Sequence, residues 1–303
     1  MSASLAVPPD AERTPAAITE RSGSNFLAGF VCLDAARREA MQVVYAFCRV
    51  VDDAVDEAPD PEIARARLDY WQNELAAAGS GGEAKTPVGH ALRRVMQEYS
   101  VPRQALEDLV AGCRTDIPPA SGIPQKLADE AELELYCYRV ASAVGLACLP
   151  IFGANDEGAQ RYAIELGHAL QLTNVLRDLR GDAEIGRCYV PQSWLTEFGI
   201  AAEDLLGRGE ASLYASGSGG VTRLCERLAE RARQRFANAR REQGQLSYRE
   251  RRALVAPRIM GAVYRDVLAK LEKRAGNLLL PRCRVAKPRK IWLLSTVWLG
   301  VRW

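Results

Sequence analysis

Apolar residues recur at helical spacing through most of this 303-residue chain, and this periodicity limits its fold more than any other feature. They stand at positions i, i+3, i+4 and i+7, which places them on one face of a helix. Alternating patterns typical of half-buried strands are nearly absent. We therefore predict an all-helical protein, with helices over residues 35–55, 61–78, 88–99, 102–115, 131–152, 158–180, 221–243 and 248–279.

Clusters of Gly, Pro and Ser separate these predicted helices, at residues 79–82, 117–124 and 207–220. Such clusters end helices and form loops. None has the length of a linker between two domains. Because 48% of the residues are hydrophobic, the chain can bury a large core.

The charge of the chain is nearly balanced, since 40 basic and 38 acidic residues give a formal net charge of +2. This balance is unlike the basic excess of a nucleic-acid-binding protein, so we expect no nucleic-acid partner. Eight cysteines are scattered without a C-x-x-C pair or a cluster with histidine. Reduced thiols in a cytoplasmic protein are therefore favoured over a disulfide framework or a zinc site.

Neither end of the chain predicts a membrane span. Residues 1–20 lack the basic start and continuous apolar run of a signal peptide, and indicate a frayed tail. No run approaches the ~18 apolar residues that cross a bilayer. A basic cluster at residues 287–290 does precede a short tryptophan-rich segment. Two interpretations stay open for this tail: peripheral membrane contact, or docking on the protein's own core.

Two acidic segments carry the functional argument, and the first covers residues 45–57. Asp52 and Asp56 stand one helical turn apart, about 40° around the axis and ~6 Å along it. Like charges at this spacing destabilise an isolated helix. A bound cation would offset that cost, and ligands that are all oxygen favour Mg²⁺.

The second acidic segment places Asn174, Asp178 and Asp182 at positions i, i+4 and i+8 of a predicted helix. Two such faces opposite each other would hold several Mg²⁺ ions, and the ions would hold a diphosphate. A solvated acidic surface is the alternative for either segment alone. Because strongly apolar sequence precedes both segments, we favour the binding interpretation.

Basic and aromatic residues stand close to both acidic segments. Arg49, Arg177 and Arg187 can each take two phosphate oxygens, although ordinary ion pairs with the aspartates are the alternative. Tyr45 and Tyr189 can donate to a phosphate or line a pocket, or they can be core aromatics.

The segment 136–148 is apolar and rich in small side chains. Small residues on a helix allow tight packing against a neighbour, or they leave room for a long apolar ligand. Beside a diphosphate site we favour a cavity for apolar tails. The predicted wall consists of Val140, Ala141, Val144 and Gly145.

Three segments, in this order, resemble the motifs of the squalene/phytoene synthase family. Residues 45–57 resemble its first aspartate motif, and residues 136–145 resemble one family signature. Within the family, the first motif is most similar to that of the bacterial presqualene diphosphate synthases of hopanoid pathways. The other signature is matched by Gly167, Gln171, Asn174, Arg177, Asp178 and Asp182, followed by Arg187, Tyr189 and Pro191.

The resemblance implies a single-domain isoprenoid-synthase helical bundle with a central cavity over residues 22–280. A disordered tail would precede it at residues 1–21, and the basic and apolar tail would follow at 281–303. The implied reaction is the Mg²⁺-dependent, head-to-head condensation of two farnesyl diphosphates to presqualene diphosphate. The implied roles are metal binding by Asp52, Asp56, Asn174, Asp178 and Asp182, catalysis by the four aspartates with Tyr45, and substrate binding by Arg49, Gln171, Asn174, Arg177, Arg187, Tyr189 and the small-residue wall.

The chain departs from the family pattern in three places. Gly181 replaces a glutamate, Asp34 replaces a proline, and a serine-rich phosphate-binding stretch is only partly kept at residues 22–26.

Two other functions stay open. A phytoene synthase would condense two geranylgeranyl diphosphates. A catalytically inactive, membrane-associated assembly factor is opposed by the retained candidate metal ligands. NADPH is not expected, since no G-x-G-x-x-G motif occurs.

Overall fold

The computed structural model describes residues 7–22, 25–118, 127–201, 219–274, 276–278 and 280–300. Throughout these ranges the regular structure is helical and no strand occurs, which confirms the predicted fold class. A 3₁₀-helix spans Asn25–Cys32, and a π-helical turn spans Tyr138–Ser142. The α-helices are α1 Pro15–Ser22, α2 Ala35–Asp56, α3 Pro61–Ser80, α4 Pro87–Tyr99, α5 Arg103–Arg114, α6 Glu130–Cys137, α7 Ala143–Phe152, α8 Glu157–Glu184, α9 Gln192–Phe198, α10 Gly220–Gln245, α11 Tyr248–Ala253, α12 Val255–Lys273 and α13 Lys287–Trp298.

Local capping signals fix where the two acidic helices begin. The Asp34 side chain accepts a hydrogen bond from the Arg37 N–H and caps α2. Asp156 caps α8 in the same way, by accepting from the Ala159 N–H. Both caps satisfy amide groups that have no partner within the helix. The replacement of proline by Asp34 therefore supplies a helix cap.

The helices form two groups that share α7 and one continuous core. Helix α2 packs against α1, α3, α4, α5 and α7, whereas α8 packs against α6, α7, α10 and α12. Phe47, Trp71 and Tyr162 are among the largest fully buried side chains. The two acidic helices therefore belong to different groups, and a cavity opens between them.

The predicted helix 131–152 is continuous from Glu130 to Phe152 but contains the π-helical turn. Helix α8 passes very close to this turn, because a Cβ atom on Gly167 would lie 2.5 Å from the Cα of Ser142. Only glycine allows two backbones to approach so closely. Within the described part of the chain, Glu130–Phe152 is also the one helix long and apolar enough to cross a membrane, but half of its apolar window is buried in the protein. Buried core helices pass the same test.

The N-terminal segment differs from the sequence-based expectation, whereas the C-terminal segment fits one of the two interpretations left open for it. Residues 7–21, expected within a disordered tail, include α1, which packs on α2 through the buried Ile18. Arg21 binds the buried Asp10 at 3.3 Å, so a charge pair also holds this segment. At the other end α13 docks on α12 through Leu293 and Val297.

Several boundaries were not predicted. The helix expected over 248–279 is interrupted at Leu254, between α11 and α12, and α9 was not predicted at all. Gly81 ends α3 in the left-handed conformation, in agreement with the predicted break at 79–82. The other two predicted breaks lie mostly outside the described residues, as do residues 23 and 24 of the serine-rich stretch.

Candidate active site

A cavity of about 450 Å³ lies between the two acidic helices, with α5, α7 and α12 completing its wall. Along α2 the lining residues run from Val44 to Asp52, and along α8 they run from Leu170 to Asp182. Along both helices, from the N-terminal to the C-terminal end, apolar lining side chains therefore come before the lining carboxylates. The cavity has one acidic end and one apolar end.

On α2, Asp52 faces the acidic end and Arg49 lies beside it. Arg49 donates to Asp52 at 3.3 Å and to Asp53 at 2.9 Å. Burial, and then the nearby charge of Asp56, raise the pKa of Asp52 to about 7. The ionised form of this carboxyl is therefore not fully stabilised by Arg49 and its other neighbours, and a bound cation would favour it.

On α8, Asp178 is held by two arginines. Arg177 donates to the two carboxylate oxygens at 3.0 and 2.5 Å. Arg282, from the segment after α12, also donates to both oxygens, each at 2.7 Å. Burial alone would raise the pKa of Asp178, but these hydrogen bonds outweigh it and the pKa is lowered. Asp182, one helical turn later, shows the opposite shift. Burial and the charge of Asp178 outweigh the nearby arginines and raise the pKa of Asp182 to about 7.

Asn174 presents a free oxygen to the same end of the cavity. Its side-chain nitrogen donates to Gln171 Oε1 at 3.1 Å. That contact fixes the amide, and its Oδ1 is buried without a hydrogen-bond partner among the described residues. A buried amide oxygen without a partner is costly, and a cation would satisfy it.

Asp56 does not line the cavity, although its spacing from Asp52 was predicted correctly. Its carboxylate binds Arg187 at 2.6 Å, and Arg187 itself reaches the cavity. The loop after α8 is thereby tied to the C-terminal end of α2. Asp56 thus lies beside the acidic end in an ion pair.

A polar group that the sequence did not indicate lies in the wall. Asp116, just after α5, accepts from the Tyr136 hydroxyl at 3.5 Å and is also hydrogen-bonded to Tyr189. The two tyrosine rings are stacked with centroids 4.8 Å apart. Burial raises the pKa of Asp116 to about 7, against the opposing effects of Arg187 and Tyr189. No spacing pattern marks Asp116, because it belongs to neither acidic segment.

The apolar end contains three of the four predicted small-residue positions, Val140, Ala141 and Val144. Gly145 faces α8 instead, where a Cβ atom would lie 3.4 Å from the Cβ of Ala163. For Gly145 the tight-packing interpretation therefore applies. The remaining apolar wall was not predicted and includes Leu109, Cys113, Cys148, Met260 and Val263.

The structure thus brings most predicted site residues to one cavity. Asp56 and Gly145 are the two that do not line it. Asp116, Tyr136 and Tyr264 also line the cavity. Tyr264 lies on α12 and is hydrogen-bonded to Arg177. The predicted residues in the lining are Tyr45, Arg49, Asp52, Val140, Ala141, Val144, Gln171, Asn174, Arg177, Asp178, Asp182, Arg187 and Tyr189.

The donor set fits Mg²⁺ that is shared with a diphosphate better than a closed metal site. Within the described ranges, no three His, Cys, Asp or Glu side chains come close enough to bind an ion by themselves. Mg²⁺ commonly uses one or two carboxylates and completes its shell with phosphate oxygens and water. The raised pKa values of Asp52 and Asp182, together with the free Asn174 oxygen, indicate a need for positive charge here.

Comparisons with known proteins agree on one family. Residues 19–290 match the family described as squalene/phytoene synthase. A presqualene diphosphate synthase of Rhodopseudomonas palustris is 35% identical over 272 residues, covering 90% of this chain and 92% of that protein. Phytoene synthase 1 of Solanum lycopersicum is 32% identical over 272 residues, covering 88% of this chain and 62% of that protein.

The comparison with solved structures agrees with this family. A dehydrosqualene synthase superposes with a TM-score of 0.78 at 27% identity, covering 95% of both chains. The squalene synthase HpnC from Alicyclobacillus acidocaldarius superposes with a TM-score of 0.72 at 30% identity, covering 87% of this chain and 93% of that one.

Proposed function

Because the chain belongs to the squalene/phytoene synthase family and is therefore an isoprenoid prenyltransferase, we propose that it condenses two farnesyl diphosphates to presqualene diphosphate with Mg²⁺. The observation that carries this proposal is the shared cavity, which is acidic where α2 and α8 end and apolar farther along both helices. A prenyl diphosphate has two matching parts, a charged diphosphate and a long apolar chain. The presqualene diphosphate synthases of R. palustris and Zymomonas mobilis, 35% and 33% identical, support the proposed product.

At the acidic end, Asp52, Asn174, Asp178 and Asp182 would hold Mg²⁺, and Asp56 lies next to them. Bound there, the metal neutralises diphosphate charge and so makes diphosphate a better leaving group.

The arginines at this end act on the diphosphate oxygens directly. Arg49, Arg177 and Arg187 carry guanidinium groups whose planar forks match pairs of phosphate oxygens. Each is paired with an aspartate in the free protein, so these donors are already oriented before substrate enters.

At the apolar end the wall holds the two prenyl chains and excludes water. In the proposed reaction the C1–O bond of one farnesyl diphosphate breaks and leaves an allylic cation. The C2–C3 double bond of the second chain attacks this cation, and loss of a proton closes the cyclopropane ring. Val140, Ala141 and Val144 would protect the cation, since they offer no nucleophile and leave room for the chains.

The buried tyrosines keep their protons at neutral pH. Burial raises the pKa of Tyr136 and of Tyr189 above the ordinary tyrosine value. Both hydroxyls therefore remain available to donate hydrogen bonds within the cavity wall.

A second candidate is phytoene synthesis from two geranylgeranyl diphosphates. It is supported by the 32% identity to phytoene synthase 1 of S. lycopersicum. An inactive assembly factor is not favoured, because the charged groups of the cavity are all present and face one another.

The proposed location is the cytoplasm. None of the eight cysteines, all of which lie in the described residues, forms a disulfide, and six of them are buried. Buried thiols in an apolar core serve as small core residues and need no oxidising compartment.

The test is to incubate the purified full chain with Mg²⁺ and either farnesyl or geranylgeranyl diphosphate, without NADPH. Mass analysis of intact diphosphates and of extracted hydrocarbons identifies the product. A C30 cyclopropyl diphosphate supports the proposal, and a C40 hydrocarbon replaces it with phytoene synthesis. Absence of both products, from protein that is folded, contradicts both enzymatic functions.

A further inference from the structure

Helix α13 has two apolar faces, and the described part of the chain covers only one of them. Leu293 and Val297 are buried against the rest of the chain. The opposite face spans about 120° of the helix. Its large side chains are Ile291, Trp292, Trp298 and Leu299, which are 66%, 40%, 62% and 65% exposed. An apolar face of this kind on a surface helix marks a site of contact with something outside the chain.

A basic recess of about 910 Å³ begins where this exposed face ends. Trp298, Leu299 and Gly300 form one wall of the recess. The short helix α11, none of whose residues is buried, forms another wall, and its Tyr248 is 71% exposed. Exposed aromatic and aliphatic side chains therefore border the recess on two sides.

The charge of the recess is strongly positive. Its only acidic lining residue among those described is Asp34, which already caps α2. Among the described residues, none of the four arginines that α11 and α12 contribute forms an ion pair with a carboxylate. The arginines in the lining are Arg37, Arg249, Arg251, Arg252 and Arg258.

Arg258 shows the consequence of this crowding. Its Nε is buried with no acceptor within the described part of the chain. One of its terminal nitrogens donates to the backbone carbonyl of Arg251 at 3.2 Å. Burial, and the charge of Arg251, lower the pKa of Arg258. An anion in the recess would satisfy this group and neutralise its neighbours.

We propose that the exposed face of α13 and the arginine recess together form a docking surface for an anionic phospholipid bilayer. The tryptophans and aliphatic side chains enter the interface, where amphipathic aromatic rings are stable. The arginines bind the phosphate headgroups, which supply the missing negative charge. This proposal does not depend on the identity of the prenyl substrate, because it concerns a surface separate from the cavity.

Charge complementarity distinguishes a bilayer from another copy of this chain. A second copy would bring the same arginines to the contact, and like charges facing each other oppose association. A bilayer offers many phosphates beside an apolar layer, which matches a recess next to an apolar helix face.

The experiment is flotation of the full chain with vesicles of phosphatidylcholine alone, and of phosphatidylcholine mixed with phosphatidylglycerol. We expect binding to the mixed vesicles that weakens when salt is raised. The variant R249Q/R252Q should weaken partition by roughly 30-fold, since each basic residue near an anionic surface contributes about fivefold. The matched control is R65Q/R94Q, which removes equal charge from exposed positions of α3 and α4.

The apolar part of the surface has its own test. W298S should weaken partition by roughly tenfold, because a side chain at the interface is buried only in part. The control L135S removes an apolar side chain that is 46% exposed on α6. Equal binding to both vesicle types, or equal loss in the recess and control variants, would overturn the proposal. So would a change of oligomeric state in R249Q/R252Q with vesicle binding unaltered, since the surface would then join copies of the chain.

Discussion

Arg282 donates two hydrogen bonds of 2.7 Å to the two carboxylate oxygens of Asp178, across 104 residues of sequence. The segment after α12 is thereby fixed over the acidic end of the cavity. Because 56% of the Arg282 side chain is exposed, we expect it to exchange its carboxylate partner for an incoming diphosphate. Asp178 would then be released toward Mg²⁺ as the substrate arrives.

Replacing Arg282 should therefore weaken substrate binding. For R282Q we expect the KM for the prenyl diphosphate to rise about tenfold, since a charge-assisted hydrogen bond contributes about 1.5–3 kcal/mol when desolvated and less when exposed. Steady-state kinetics at saturating Mg²⁺ measures this change. The matched control is R284Q, which alters a neighbouring exposed arginine. Equal KM values in the two variants would show that Arg282 does not contact substrate.

The buried carboxyl of Asp116 should make the stability of the protein depend on pH. Its pKa is raised to about 7 in the folded protein, against about 4 when unfolded. The stability that this group contributes is fully present below pH ~4 and is lost as pH rises through ~7. Between these pH values Asp116 is ionised in the unfolded chain but keeps its proton in the folded protein, so rising pH favours unfolding. We expect D116N to reduce the fall in unfolding free energy between pH ~5 and pH ~8 by on the order of 2 kcal/mol. Urea unfolding at both pH values measures it, and parallel pH profiles would contradict the assignment.

Local geometry explains which site residues the sequence could predict. Asp52 on α2, and Asn174, Asp178 and Asp182 on α8, lie within single helices, where spacing alone fixes a common face. Their placement in the cavity follows from that spacing and from the apolar sequence around them.

Contacts between distant segments explain what the sequence could not predict. Arg282 and Asp116 come from outside the acidic segments, and only the packing of α5 and α12 brings them to the site. Asp56 has the right spacing, but Arg187 binds it away from the cavity lining. From the sequence, Gly145 could have lined a cavity or allowed close packing of two helices. The position of Ala163 on α8 shows that it allows close packing.

Two glycines of α8 should respond in opposite ways to the same substitution. A Cβ on Gly167 would lie 2.5 Å from the Cα and 2.6 Å from the backbone nitrogen of Ser142, so G167A must push the π-helical turn away. We expect a loss of at least about 2 kcal/mol in unfolding free energy. A Cβ on Gly181 would meet no atom of another described segment within 4 Å, so G181A should stabilise the helix by about 0.5–1 kcal/mol. Thermal or urea unfolding measures both, and a loss of similar size in the two variants would show that the contact with Ser142 does not set the cost.

The carboxylates of the two acidic helices should be needed for turnover and not for folding. D52N and D178N keep the side-chain shape but remove the negative charge that is proposed to hold Mg²⁺. We expect each variant to lower kcat/KM by about 10²–10³. This loss is typical when a group that stabilises transition-state charge is removed. The Mg²⁺ concentration for half-maximal rate should also rise, a change that a purely structural defect would not produce. The control D69N removes an exposed carboxylate of α3 that pairs with Arg114. Chelation of the metal should abolish activity in the unaltered chain, and added Mg²⁺ should restore it. Full activity in D178N at low Mg²⁺ would remove Asp178 from the site and with it the role assigned to the acidic face of α8.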